Sequence, residues 1–270
     1  MPELVKSDIY YRKWPAADPK AALLLVHGIG AHSARWNFWG DYFAARGFTS
    51  YAIELKGFGQ TPNRPRGHIA SFDIYYRDIL KLREIAQTEN PGKKLFLVGE
   101  SLGGLVGFTA AARSPEKFEG LVLMSPAFAN AMKFSILDYL KLPLFLLLGP
   151  NFQLRLPFTA AMCTRDLAYQ KVMENNPDEY RYASARLLVN TLLAQLQSAS
   201  LVKNFLLPTL MQVSGRDVMI SAPAAKKAFG QLAAPDKTLI EYPEMMHALY
   251  IDQGREKVFA DVLTWLEKRV

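Results

Sequence analysis

The feature that most constrains this chain is an alternation of two kinds of apolar pattern. Residues 22–27 (ALLLVH), 48–54, 95–99 and 121–124 are short apolar runs of strand length. Between them, residues 36–46, 72–88 and 102–113 carry apolar side chains at helical spacing, as with Ile74, Ile79, Leu82 and Ile85. Strands separated by helices imply a mostly parallel sheet with helices on both faces, so an α/β fold is expected. The rhythm stops near Phe128. It returns after Pro208 with a strand at 209–214, a helix at 222–229, a strand at 237–242 and a closing helix at 256–268. The span between reads as several helices punctuated by Pro143, Pro150, Pro157 and Pro177. At roughly 75 residues it is too long for a structureless loop. The predicted organisation is one core domain, residues 1–127 and 206–270, with a helical cap over 128–205 inserted in it.

Gly99-Glu100-Ser101-Leu102-Gly103 is a G-x-S-x-G sequence placed where the strand LFLV ends and the helix LGGLVGFTAAA begins. A serine at that junction sits on a sharp, strained turn with its oxygen exposed above the sheet. Its hydroxyl needs a base. Where such a serine is used, the acid and then the histidine follow it in the chain, and of His27, His32, His68 and His247 only His247 follows Ser101. The base in turn needs a carboxylate to fix its tautomer and balance its charge. Asp217, in SGRDVMIS, lies just past the carboxyl end of a strand, where open α/β sheets place functional groups. Asp236 precedes a strand, Glu241 lies within one, and Asp252 reads as helical or capping. Backbone N–H groups of Leu102 and Ile29 are the expected donors to a tetrahedral oxyanion. His27 is expected to serve as a structural hydrogen-bonder in the loop carrying Ile29.

Charge and composition exclude other classes. The formal charge is +7, but Lys93-Lys94 and Lys226-Lys227 are the only adjacent lysine pairs. A nucleic-acid binder would concentrate such charge in a run or stripe, so no nucleic-acid partner is expected. The histidines are dispersed, and no H-x-x-x-H or C-x-x-C occurs, so neither a metal nor a cofactor is expected. Cys163 is the single cysteine and cannot form an internal disulfide, which fits a reducing compartment. Residues 1–11 lack the basic start and apolar run of a secretory signal. LPLFLLL, at 142–148, falls short of the about 20 apolar residues that span a bilayer. The expected location is the cytoplasm, with peripheral contact at a membrane surface through the cap.

From LLLVHGIGAHSARW through AIELKGFGQTP, LFLVGESLGG and VLMSP to SGRDVMIS and MMHALY, the chain resembles the monoacylglycerol lipase and lysophospholipase branch of the α/β-hydrolases. The resemblance implies a serine esterase acting on single-chain acyl lipids, with a helical cap over the site. Lysophospholipase, thioesterase and general carboxylesterase activities fit the same Ser101–Asp217–His247 set, and a catalytically silent relative that binds lipid or a partner is the reading from another class. Arg35 matches the branch and is expected at the substrate. Ala31 stands where the branch commonly has an acidic residue near a glycerol head group. Glu54-Leu55-Lys56-Gly57-Phe58-Gly59 replaces the family's Asp-x-x-Gly-His-Gly. The cap is rich in apolar residues (Met132, Phe134, Ile136, Leu137, Leu140, Leu142, Leu144, Phe145, Leu146). This surface either packs on the α/β core or, in the reading carried forward, lines an acyl tunnel in part, Leu146 included, and meets lipid in part.

Overall fold

The structure is a computed structural model that describes residues 2–131, 145–146 and 149–270. In chain order its strands are β1 (Leu4–Lys6), β2 (Tyr10–Trp14), β3 (Ala21–Val26), β4 (Phe48–Glu54), β5 (Lys94–Glu100), β6 (Gly120–Met124), β7 (Gln153–Arg155), β8 (Tyr182–Ser184), β9 (Thr209–Ser214) and β10 (Lys237–Tyr242). The helices are α1 (Asn37–Ala44), α2 (Phe72–Glu89), α3 (Leu102–Arg113), α4 (Ala160–Cys163), α5 (Leu167–Asn175), α6 (Ala185–Leu201), α7 (Ala222–Gln231) and α8 (Arg255–Glu267).

Eight strands form the main sheet, in the order β1-β2-β4-β3-β5-β6-β9-β10. The six from β4 to β10 run parallel, and β1 and β2 join antiparallel at one edge. Every residue of β3, β4, β6 and β9 is buried, which is why these segments read as unbroken apolar runs. The chain steps from β3 outward to β4 and then crosses back to β5. With right-handed crossovers, that reversal puts α1 on one face and α2 and α3 on the other, and it opens a crevice at the carboxyl ends of β3 and β5. α1 packs with α8, and α2 packs with α3.

An aromatic cluster joins the α1 face to the last loop of the sheet. Trp36 is fully buried and stacks on Tyr250 at 4.2 Å, while Trp39 meets Trp36, Phe43 and Phe259. Each such pair adds about 0.5–1.5 kcal/mol beyond its area. The cluster fixes the short 3-10 turn Ser33–Trp36 against the segment that follows His247.

Between β6 and β9 the chain leaves the sheet. The described part of this insertion holds α4, α5 and α6, and also an antiparallel pair, β7 with β8. Beside the several helices expected, the insertion thus carries a short strand pair, because strands of three residues are too short for an alternating pattern to show. The expected apolar positions Met132, Phe134, Ile136, Leu137, Leu140, Leu142 and Leu144, with Leu147, lie outside the described residues. Phe145 and Leu146 are half-buried, and the Phe145 ring stacks on Phe152 at 4.7 Å. Among the described residues, no helix is long and apolar enough to cross a membrane.

Candidate active site

Ser101 stands between the end of β5 and the start of α3 with φ 54° and ψ −120°. A side chain is strained in that region, at about 1–3 kcal/mol, and persists there only if its surroundings hold it. They do: Ser101 N–H donates to Met124 O at 3.0 Å, and Ser101 O accepts from Leu105 N–H at 3.1 Å and Ala127 N–H at 3.0 Å. Gly103 must be glycine, since a β-carbon there would drive into the carbonyl of Val26. The turn therefore presses against the end of β3.

Asp217 lies in the loop after β9. Its Oδ1 accepts the N–H groups of Met219 and Ile220, both at 2.9 Å, which pins the carboxylate. Its Oδ2 is left to receive the Nδ1–H of His247 at 2.6 Å. That donation puts the imidazole lone pair on Nε2, where a base needs it. Nε2 is buried and has no hydrogen-bond partner among the described residues. Burial alone would push the imidazole down, but the Asp217 charge and hydrogen bond, with help from Glu100, hold it above the ordinary value. Burial would likewise raise Asp217, yet His247 and the two backbone N–H groups keep its carboxyl below the usual range.

The loop after β3 crosses the same edge. Ala31 N–H donates to Gly28 O at 3.3 Å, which folds the loop around Ile29. Gly28 lies so near the turn that a β-carbon would come within 3.0 Å of Ser101 Cβ. Leu102 opens α3, so its N–H is one that the helix leaves unpaired. His27 is absorbed by the backbone: its Nδ1 contacts Gly28 O at 2.8 Å, and its Nε2 accepts Leu55 N–H at 3.0 Å. Burial pushes it down to about 4, so it is a neutral brace.

The rival acids are engaged elsewhere. Asp236 precedes β10 and pairs with Arg269 at 2.5 Å, and Glu241 pairs with Lys226 at 2.6 Å. Asp252 is neither helical nor a simple cap. It is fully buried and accepts from Arg165 N–H (2.6 Å), Arg165 Nε (3.0 Å), Thr164 Oγ1 (3.2 Å) and Met246 N–H (2.8 Å). It thus braces the residue before His247 against the insertion.

Arg35, expected at the substrate, is buried and locked to a carboxylate of the insertion. Its Nε and Nη2 donate to Glu179 Oε1 and Oε2 at 2.6 and 2.5 Å. His32 Nε2 lies 3.5 Å from Glu179 Oε1. Burial would raise Glu179, but Arg35 brings it down to about 2. A carboxyl lowered on folding adds stability above its ordinary value of 4.5, and that contribution is lost as pH falls towards 2. Glu179→Gln is therefore expected to destabilise the fold by about 3–5 kcal/mol near neutral pH, because Arg35 would be left buried without its counter-charge. Thermal unfolding at pH 7 and at pH 3 measures it: the gap between variant and parent should narrow at the lower pH. An equal gap at both would sink the account.

Glu179 and Glu100 lie around the candidate site without having been nominated from the sequence, and Asp252, weighed there only as a rival acid, is a buried brace. Glu100 is the variable position of G-x-S-x-G and ends β5 with its side chain buried. An ionisable residue beside the strained serine was the available signal. For Glu179 and Asp252 no local pattern marks the role, since each works through partners distant in the chain. Among the described residues, no group of three His, Cys, Asp or Glu side chains is disposed to hold a metal.

The family model described as serine aminopeptidase, S33, matches residues 17–254. Human monoglyceride lipase is 27% identical over all of this chain and 91% of its own length. Phospholipase YtpA of Bacillus subtilis is 26% identical over 91% of this chain and 95% of its own. The crystal structure of Paleococcus ferrophilus monoacylglycerol lipase superposes with a TM-score of 0.88 at 25% identity, covering 98% of this chain and all of that one.

Proposed function

The chain belongs to the serine aminopeptidase S33 family and has the α/β-hydrolase fold, and on that premise we propose that it is a serine esterase of single-chain acyl lipids, similar in action to the monoacylglycerol lipases. The observation that carries this reading is the Asp217–His247 pair, with a buried Nε2 that makes no hydrogen bond among the described residues, on the sheet edge that presents the strained Ser101. In the proposed reaction Ser101 Oγ attacks the ester carbonyl while its proton passes to Nε2. The tetrahedral oxyanion takes hydrogen bonds from the N–H groups of Ile29 and Leu102. Collapse breaks the bond to the leaving alcohol, which receives the Nε2 proton. Water, deprotonated by the same imidazole, then releases the fatty acid and frees Ser101.

Ala31 offers no charge, and Arg35 is taken by Glu179, so neither presents a free ionic partner to glycerol. The likeness to a bacterial phospholipase favours lysophospholipids as a second substrate class. Residues 128–205 are read as a cap. Tyr180 N–H donates to Gly30 O at 2.9 Å and Ser184 N–H to Gly67 O at 2.8 Å, which ties the insertion to loops after β3 and β4. Its surface exposes Leu167, Leu193 and Leu196, which supports peripheral contact with lipid.

Hydrolysis rates across p-nitrophenyl esters, monoacylglycerols and lysophospholipids of graded length test the reading. An acyl tunnel should raise kcat/KM by about fourfold per methylene until it is full, following about 0.8 kcal/mol per CH₂. Leu193→Ser with Leu196→Ser should weaken vesicle binding while sparing a soluble short ester. A preference for acetyl esters with no vesicle binding would reduce the cap to a lid for small substrates. Failure of a fluorophosphonate to label Ser101 would make the chain a silent relative.

A further inference from the structure

Glu100 is the residue just before Ser101, and its side chain is 2% exposed. One oxygen, Oε1, lies 3.4 Å from His247 Nε2, and Oε2 has no hydrogen-bond partner among the described residues. The carboxylate fits because position 28 is glycine: a β-carbon there would come 2.5 Å from Oε2. An isolated buried carboxylate costs several kcal/mol unless it finds a positive partner or takes up a proton.

The groups that face it narrow the choice. Asp217, from the loop after β9, is negative and repels it. Arg35, from the turn after β3, acts on it from further off and is tied to Glu179. Cys163, at the end of α4, is pushed up to about 12 by burial, and burial likewise holds Tyr250 far above its ordinary value, so both stay neutral. The Gly28 backbone helps hold the carboxylate by a hydrogen bond, and the ionisable partner that remains is the imidazole. We propose that Glu100 is a second carboxylate partner of His247, acting at Nε2 opposite Asp217 at Nδ1, and that it sets the pH at which this base becomes free. The proposal rests on the triad reading given above.

The pair holds one proton between Oε1 and Nε2. Burial raises the Glu100 carboxyl, while the imidazolium lowers it. While that proton sits on Nε2, with the carboxylate facing the imidazolium across 3.4 Å, Nε2 cannot take a proton from Ser101 until it loses this one to solvent. Once the reaction starts, the Ser101 O–H bond breaks and an Nε2–H bond forms. The carboxylate of Glu100 then stabilises the imidazolium until the proton passes to the leaving alcohol. Glu100 is thus a positioning residue that acts through the base.

The test is the pH dependence of kcat/KM on a soluble ester, and of the rate at which a fluorophosphonate labels Ser101. In the unsubstituted chain the rising limb should have its midpoint above the ordinary imidazole value. Glu100→Gln should move the midpoint to lower pH by about 1–3 units, the usual effect of removing an opposite charge at this range. Glu100→Asp keeps the charge but withdraws it by one methylene, so its midpoint should fall between the two. A merely structural role would change the plateau and the thermal stability without moving the midpoint. An unmoved midpoint in whichever variants fold, with Ser101 still labelled, overturns the proposal and leaves the triad reading standing. So does a midpoint at or below the ordinary value in the unsubstituted chain. No labelling of the unsubstituted chain at Ser101 overturns both.

Discussion

Ser101→Ala is expected to lower ester turnover by on the order of 10⁶-fold, because the attacking oxygen is lost and the remaining groups have no covalent route to the acyl-enzyme. The fold should hardly notice. The backbone hydrogen bonds to Met124, Leu105 and Ala127 do not involve the hydroxyl, so stability should stay within about 0.5 kcal/mol. The strain at φ 54° gives this prediction a second arm. In an ordinary helix or strand interior, glycine is less stable than alanine by about 0.5–1 kcal/mol. At position 101 the order should invert, with Ser101→Gly unfolding at a higher temperature than Ser101→Ala, since only glycine adopts this backbone without penalty. Activity retained in purified Ser101→Ala would refute the nucleophile. The ordinary order of glycine and alanine would refute the strain.

Asp217→Asn is expected to lower kcat by about 10⁴-fold with little change in stability. The asparagine oxygen can still accept the N–H groups of Met219 and Ile220. Its amide would then donate to Nδ1, which forces the proton of His247 onto Nε2 and removes the base. Asp252→Asn provides the contrast. Asp252 does not touch the imidazole, so an effect on the chemistry through the tautomer is not expected. It is however fully buried and anchors Thr164, Arg165 and Met246, and losing its charge should destabilise the fold by about 1–3 kcal/mol, since Arg165 is 30% exposed and keeps water as a partner. Measuring kcat and thermal unfolding for both variants separates the roles. If Asp252→Asn matched the loss of turnover while remaining as stable as the parent, and Asp217→Asn stayed active, the acid would be the wrong one.

The parallel core was legible because burial on both faces leaves a plain trace. β4, α3, β9 and β10 begin and end where the apolar runs predict, and the other sheet strands of the core and its long helices differ by a few residues at their ends. β1 and β2 were missed. They lie antiparallel at the sheet edge, and YYRKW places Arg12 and Lys13 where an alternating pattern would want a cleaner signal. β7 and β8 were missed for their brevity. Ser101, Asp217 and His247 could be nominated because each sits at a strand end whose position the alternation predicts. Arg35 could be found by resemblance, but its partner could not: Glu179 lies in the insertion, and only the folded chain brings it to the guanidinium. Glu100 was overlooked for a different reason. The motif treats its position as a spacer, and what makes it matter is a distance to Nε2 that no spacing encodes.

β6 and β9 are hydrogen-bonded neighbours in the sheet, yet residues 125–208 pass between them. For the unfolded chain this is a loop to be closed, and the entropy of closing a loop grows only with the logarithm of its length. Doubling that excursion would cost about 0.6 kcal/mol, less than one buried methylene is worth. Length alone therefore costs the sheet little, and what limits exchange of the segment is its own anchors, Glu179 on Arg35 and Thr164 with Arg165 on Asp252. A segment that keeps those anchors can change length while β6 and β9 stay paired.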